Sequence, residues 1–154
     1  MSQHLASIVW QRGEQVFSDN QYSRAHEWQF DGGLRVPASS APSSVPLPMS
    51  VAENVDPEEA VVAALASCHM LFFLAFACKK GYIVDQYEDH PVGTMEKNER
   101  NRLYLANIVL QPKVTFSGDN QPDQATITAL HELSHDHCYI ANSLKASVTI
   151  QPVV

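Results

Sequence analysis

Two patterns in this chain could do chemistry. His131-Glu132-Leu133-Ser134-His135 spells H-E-x-x-H, which on a helix turns two imidazoles to one face for zinc and keeps a glutamate as base. Few residues follow it, so a third ligand would come from His137, Cys138 or upstream, and little chain remains to wall a hydrolase cleft. The second pattern is cysteine. Cys68 lies in an apolar run with Ser67 and His69 beside it, and small Ala66 and Ser67 would let another segment approach. Cys138 follows Asp136, which reads as the cap of a fresh helical turn over His137–Leu144, so that helix amides would favour the thiolate. Cys78 has only apolar neighbours and reads as inert packing. Two thiols in polar niches and one inert thiol suggest a dithiol site rather than a metal site.

The elements that must position these thiols begin with Asp56–Gly81. Asp56 offers a cap oxygen, Pro57 suits the first helical position, and Glu58 and Glu59 sit where the dipole favours anions. Lys79 and Lys80 fill the last turn and Gly81 can take the left-handed cap. Nearly everything between is apolar, which predicts a helix buried all round. Its length approaches a membrane span, but Ser67, Cys68 and His69 interrupt it and no aromatic belt flanks it, so no membrane association is expected.

Before that helix, Leu5–Phe17, Tyr22–Phe30 and Leu34–Val36 read as strands, with Arg24, His26 and Trp28 on one face of the second. Pro37–Ser50 reads as extended loop. After it come a strand-like Tyr82–Glu96, irregular near Pro91, and a turn over Lys97–Asn101. An unbroken alternating strand from Tyr104 to Phe116 follows, with Pro112 at an edge or bulge. Pro122 opens a second helix with Ile127, Leu130 and Leu133 inward, and Ala146, Val148 and Ile150 alternate at the end. The order predicts an α+β domain, antiparallel sheets against a long buried central helix.

The 154 residues are enough for one domain over 1–154 with a real core. A net charge of −7 argues against nucleic acid. Three cysteines without a framework spacing, and an N-terminus lacking a basic start before an apolar run, predict a cytoplasmic protein without a secretory signal.

Asp56-Pro57-Glu58-Glu59, then Ala-Leu-Ala-Ser-Cys68-His69, and later His-Asp-His-Cys138-Tyr-Ile-Ala-Asn-Ser together resemble the OsmC/Ohr family of thiol-dependent peroxidases. Tyr139 stands where many members have proline, and His69 marks a branch apart from the best-known hydroperoxide reductases. The resemblance implies that Cys68 attacks an organic or fatty-acid hydroperoxide and that Cys138 resolves it as a disulfide. It also implies an arginine from the N-terminal sheet, Arg24 in preference to Arg35, and a glutamate, Glu58, to orient it. Met70, Phe72 and Phe73 would supply apolar walls. No metal, flavin or haem is required; the reductant would be an external dithiol, a lipoyl protein or small thiol. Glu58 and Cys68 are about 15 Å apart along one straight helix, so a shared site predicts an intertwined homodimer with antiparallel central helices. Two rival readings are a zinc hydrolase on His131 and His135 and a non-enzymatic ligand-binding module.

Overall fold

The computed structural model describes all 154 residues, which form two compact units, Met1–Ala60 and Val61–Val154. In the first, β1 (Ala6–Val9), β2 (His26–Phe30) and β3 (Arg35–Ala38) make an antiparallel sheet in the order β1-β2-β3. Trp28 pairs with Ile8 on one side and Val36 on the other. The two long strands expected at the start are therefore short. Between them Gly13 and Asn20 turn at positive φ, and Trp10, Phe17 and Tyr22 gather into an aromatic cluster with ring centroids 4.7–6.1 Å apart. Ring packing there replaces ladder pairing, and Arg24 lies before β2 rather than on it. The proline-rich loop is tied down by its own unit: Ala38 bridges to Val55, and Val51 donates its N–H to the buried Ser39 hydroxyl at 2.9 Å.

Helix α1 (Pro57–Lys79) starts and stops where its sequence dictates. Asp56 and Glu59 form a reciprocal capping box, each side chain accepting the other's backbone N–H at 2.8 Å. At the far end Tyr82 N–H reaches Ala77 O and Gly81 N–H reaches Cys78 O, with Gly81 at φ 81°, a Schellman closure. The expectation of burial on all sides is corrected. Leu65, Ala66, His69, Phe73 and Ala77 form one buried stripe, while Ala64, Ser67, Leu71, Ala75 and Cys78 are exposed. An apolar sequence reports what a helix avoids, not which neighbour covers it. By length and composition α1 could cross a membrane.

In the second unit β4 (Ile83–Glu88) pairs with β7 (Lys113–Ser117), and β5 (Val92–Lys97), β6 (Leu103–Leu110) and β8 (Ser147–Ile150) form a sheet in that order. β5 and β6 are an antiparallel hairpin, whereas β8 runs parallel to β6. The strand expected to run unbroken from Tyr104 to Phe116 breaks at Gln111 and Pro112, and its halves join different sheets. Pro112 has no N–H to continue a ladder, and Gln111 turns its own N–H to the Asp89 carboxylate at 2.7 Å. Two apolar clusters result: Leu65, Ala66, Ile108, Leu110 and Cys138 in one, Phe73, Ala77 and Leu130 in the other. Helix α2 (Gln124–His137) is capped by Asp123, whose side chain accepts from Thr126 N–H at 2.8 Å. Its buried face is Leu130, His131 and Ser134, with Leu133 only partly covered. These helices and largely antiparallel sheets make the α+β class expected.

Candidate active site: a dithiol and an arginine cleft

Each cysteine of interest comes from a different helix. Cys68 lies midway along α1, half-buried, and Cys138 is the residue that ends α2. Both join the first apolar cluster, where the two thiols are neighbours and both are free. Cys138 is completely buried. Burial pushes its thiol up to about 11; the Ala141 N–H, 3.4 Å from the sulfur, works against this, and the Cys68 side chain adds to the rise.

The thiolate expected at a helix N-terminus is therefore corrected. α2 runs straight through Asp136 to His137, and Cys138 is its C-cap in extended conformation, at the negative end of the dipole. A single turn of 3-10 helix, Ala141–Ser143, follows. Asp136 is a good cap by type, but α2 keeps its ladder through this point because Ser134 and Cys138 are drawn into the core. Cys78 is exposed rather than packed inside. Of the expected apolar walls, Phe72 lies against the Cys68–Cys138 cluster, edge-on to Tyr139 at 5.0 Å, while Phe73 faces Tyr87 and Phe116 in the other cluster.

The polar island beside Cys68 has a partner that the sequence did not disclose. His69 Nε2 and His131 Nδ1 share a hydrogen bond of 3.0 Å, with rings nearly parallel, and both residues are buried. Burial lowers His69 to about 4, with His131 and His135 adding to it, and burial lowers His131 to about 4. The pair is neutral, one ring donating and the other accepting. His131 thus spends one ring nitrogen on His69, Glu132 points to solvent, and no three His, Cys, Asp or Glu side chains gather as a metal would need. Two histidines on apolar helix faces were the available signal; only tertiary packing pairs them.

In the first unit Arg24 sits in a cleft of about 540 Å³ lined by Trp10, Phe17, Tyr22, His26 and Pro57. Its guanidinium lies 3.7 Å over the Tyr22 ring and donates to Asn20 Oδ1 at 2.8 Å and to the carbonyls of Asn20 and Tyr22. Strand sharing does not place it; this local wrap does. His26 and Trp28 do share a face, Trp28 Nε1 donating to His26 Nε2 at 3.1 Å. Arg35 instead pairs with Glu27 at 3.6 Å on the sheet surface, outside the cleft. Glu58 follows Pro57 in the first turn of α1, half-buried and without an ion pair. The cleft offers a cation among aromatic rings and the dithiol offers a nucleophile with a second thiol beside it.

A protein-family model described as OsmC-like protein matches residues 51–153. The structure of an OsmC-like protein of unknown function from Vibrio cholerae is 47% identical, covers 99% of this chain and 100% of its own, and superposes with a TM-score of 0.97. An organic hydroperoxide resistance protein from Elizabethkingia anophelis is 12% identical with a TM-score of 0.71, covering 99% and 94% of the two chains. Another from Bacillus subtilis is 16% identical with a TM-score of 0.63, covering 96% of each. At those identities the likeness is one of fold. No curated protein matches the chain.

Proposed function

Because this chain belongs to the OsmC-like protein family, we propose that it is a thiol-dependent peroxidase that reduces organic hydroperoxides to alcohols. The observation that carries this reading is the meeting of two free thiols, from separate helices, in one apolar cluster. The description of two structural relatives as organic hydroperoxide resistance proteins agrees with it. The Cys68 thiolate attacks the terminal oxygen of R–O–OH, the O–O bond breaks, and the alkoxide takes a proton to leave as the alcohol. Cys68 is then a sulfenic acid. Cys138, buried beside it, gives up its proton and attacks that sulfur; hydroxide leaves as water and a Cys68–Cys138 disulfide remains. An external dithiol, a lipoyl protein or small thiol of the reducing cytoplasm, returns the pair to thiols by two exchange steps.

The high pKa of Cys138 suits a resolving thiol more than an attacking one. Cys68 is more exposed and can meet a cation that favours its thiolate. Arg24 is assigned that role, with Glu58 as its orienting carboxylate. Since Glu58 and Cys68 stand about 15 Å apart along α1, we assign Arg24 and Glu58 of one chain to Cys68 of the partner subunit in a two-fold dimer.

The decisive assay is consumption of cumene hydroperoxide with a dithiol reductant. Cys68→Ser is expected to abolish turnover. Cys138→Ser should consume one equivalent and then overoxidise, and peptide mapping of the wild type should find Cys78 reduced. Normal turnover by Cys68→Ser, or a disulfide through Cys78, would overturn the mechanism. No turnover with a well-formed dithiol would favour a ligand-binding role, and activity dependent on added zinc would favour the hydrolase.

A further inference from the structure

We propose that the His69–His131 hydrogen bond is a positioning device that holds Cys68 and Cys138 in register for reversible disulfide exchange, an inference that rests on reading these thiols as a cycling pair. Cys68 precedes His69 on α1, and His131 lies two turns before the end of α2, where Cys138 stands. The bond between these imidazoles joins the two helices one residue from Cys68 on α1. Around it the helices pack through apolar groups: Phe73 against His131 with centroids 4.4 Å apart, Phe76 against His137 at 5.2 Å, Phe72 against His137 at 6.2 Å, and Leu130 in one cluster with Phe73 and Ala77.

The burial of apolar area is non-directional, whereas an N–H···N bond is directional. The tolerance at the sulfurs is narrow. One residue along a helix is about 1.5 Å, and a disulfide needs its Cα atoms within roughly 4.4–6.8 Å. Nothing else competes for the rings, since His69 Nδ1 and His131 Nε2 are buried without partners. Each imidazole is thus committed to the other, and their bond fixes where α2 sits along α1.

The geometry supplies its own control. His69 uses Nε2, the position a glutamine amide reaches, and His131 uses Nδ1, the position an asparagine amide reaches. His69→Gln and His131→Asn therefore keep a hydrogen-bonding atom in place, while His69→Asn and His131→Gln withdraw it. The readout is the equilibrium of the full-length protein with reduced and oxidised glutathione. In that exchange a protein thiolate attacks glutathione disulfide and releases one glutathione. The second protein thiolate then displaces the other, giving one protein disulfide and two glutathione thiols. The withdrawn pair of variants should form the Cys68–Cys138 disulfide about tenfold less favourably, the scale of one lost hydrogen bond, and the matched pair should stay near wild type.

Urea unfolding of the reduced proteins is measured alongside. His69→Leu/His131→Leu, which removes the bond without leaving one ring orphaned, should fold and share the redox defect. The proposal is overturned if all four single variants behave alike, if the double variant keeps the wild-type equilibrium, or if the redox change merely tracks unfolding. Because glutathione replaces peroxide, a protein with a normal disulfide and no peroxidase activity would defeat the proposed function alone. A wild type that forms no Cys68–Cys138 disulfide would defeat both.

Discussion

Two neutral imidazoles buried side by side make the second unit sensitive to acid. His69 and His131 each sit at about 4 in the folded chain against 6.5 when free. As pH falls below 6.5 the unfolded chain takes up protons that the folded chain refuses, so stability present at neutral pH is lost down to about 4 and no further. The slope is about 1.4 kcal/mol per pH unit for each imidazole. Tyr87 on β4 faces His131 with its hydroxyl buried and its pKa raised, so it stays neutral throughout this window. The urea midpoint is expected to drop steeply from pH 7 to pH 4.5, and His69→Leu/His131→Leu should flatten that profile. A wild-type midpoint that does not move across the window would mean the pair is not held neutral.

At the scale of elements, what was legible in the sequence was what neighbouring residues decide. Both ends of α1 follow from Asp56, Glu59, Lys79 and Gly81 acting within one turn. Asp56→Ala should accordingly cost about 1 kcal/mol, read as a lower thermal midpoint without change in fold. The pairing of β5 with β6 and the alternation of β8 were equally local. Errors fell where distant contacts overrode local preference. Asp136 has the chemistry of a cap, yet α2 continues through it to deliver Cys138 to the core. The run from Tyr104 to Phe116 keeps its alternation across Gln111 and Pro112 while the backbone changes sheets. Alternation places Arg24 on a strand face that it does not occupy, and the cleft that contains it depends on Trp10, Phe17 and Tyr22 folding together. The cysteines were legible as a pair through their flanking motifs. The histidine link was not, because residues 62 positions apart meet only through packing.

For the whole molecule, α1 poses a question that its own chain leaves open. Its outer stripe of Ala64, Ser67, Leu71, Ala75 and Cys78 is apolar or small, and Leu71 is 60% exposed. Small residues along one stripe permit close helix approach, and a second copy placing the same stripe against it satisfies two-fold symmetry. Leu71→Asp is expected to turn a dimer into a monomer by light scattering and to abolish turnover, while glutathione still oxidises Cys68 and Cys138. A wild-type monomer at micromolar concentration would end this reading. Complementation tests the shared site more sharply. Cys68→Ser and Arg24→Ala chains should each be inactive as homodimers. Co-expressed, they should form mixed dimers in which an intact Arg24 would meet an intact Cys68 of the partner subunit at one site of two. Random pairing would then restore about a quarter of wild-type activity. If each site lies within one chain, both sites of every mixed dimer carry a defect and nothing is restored.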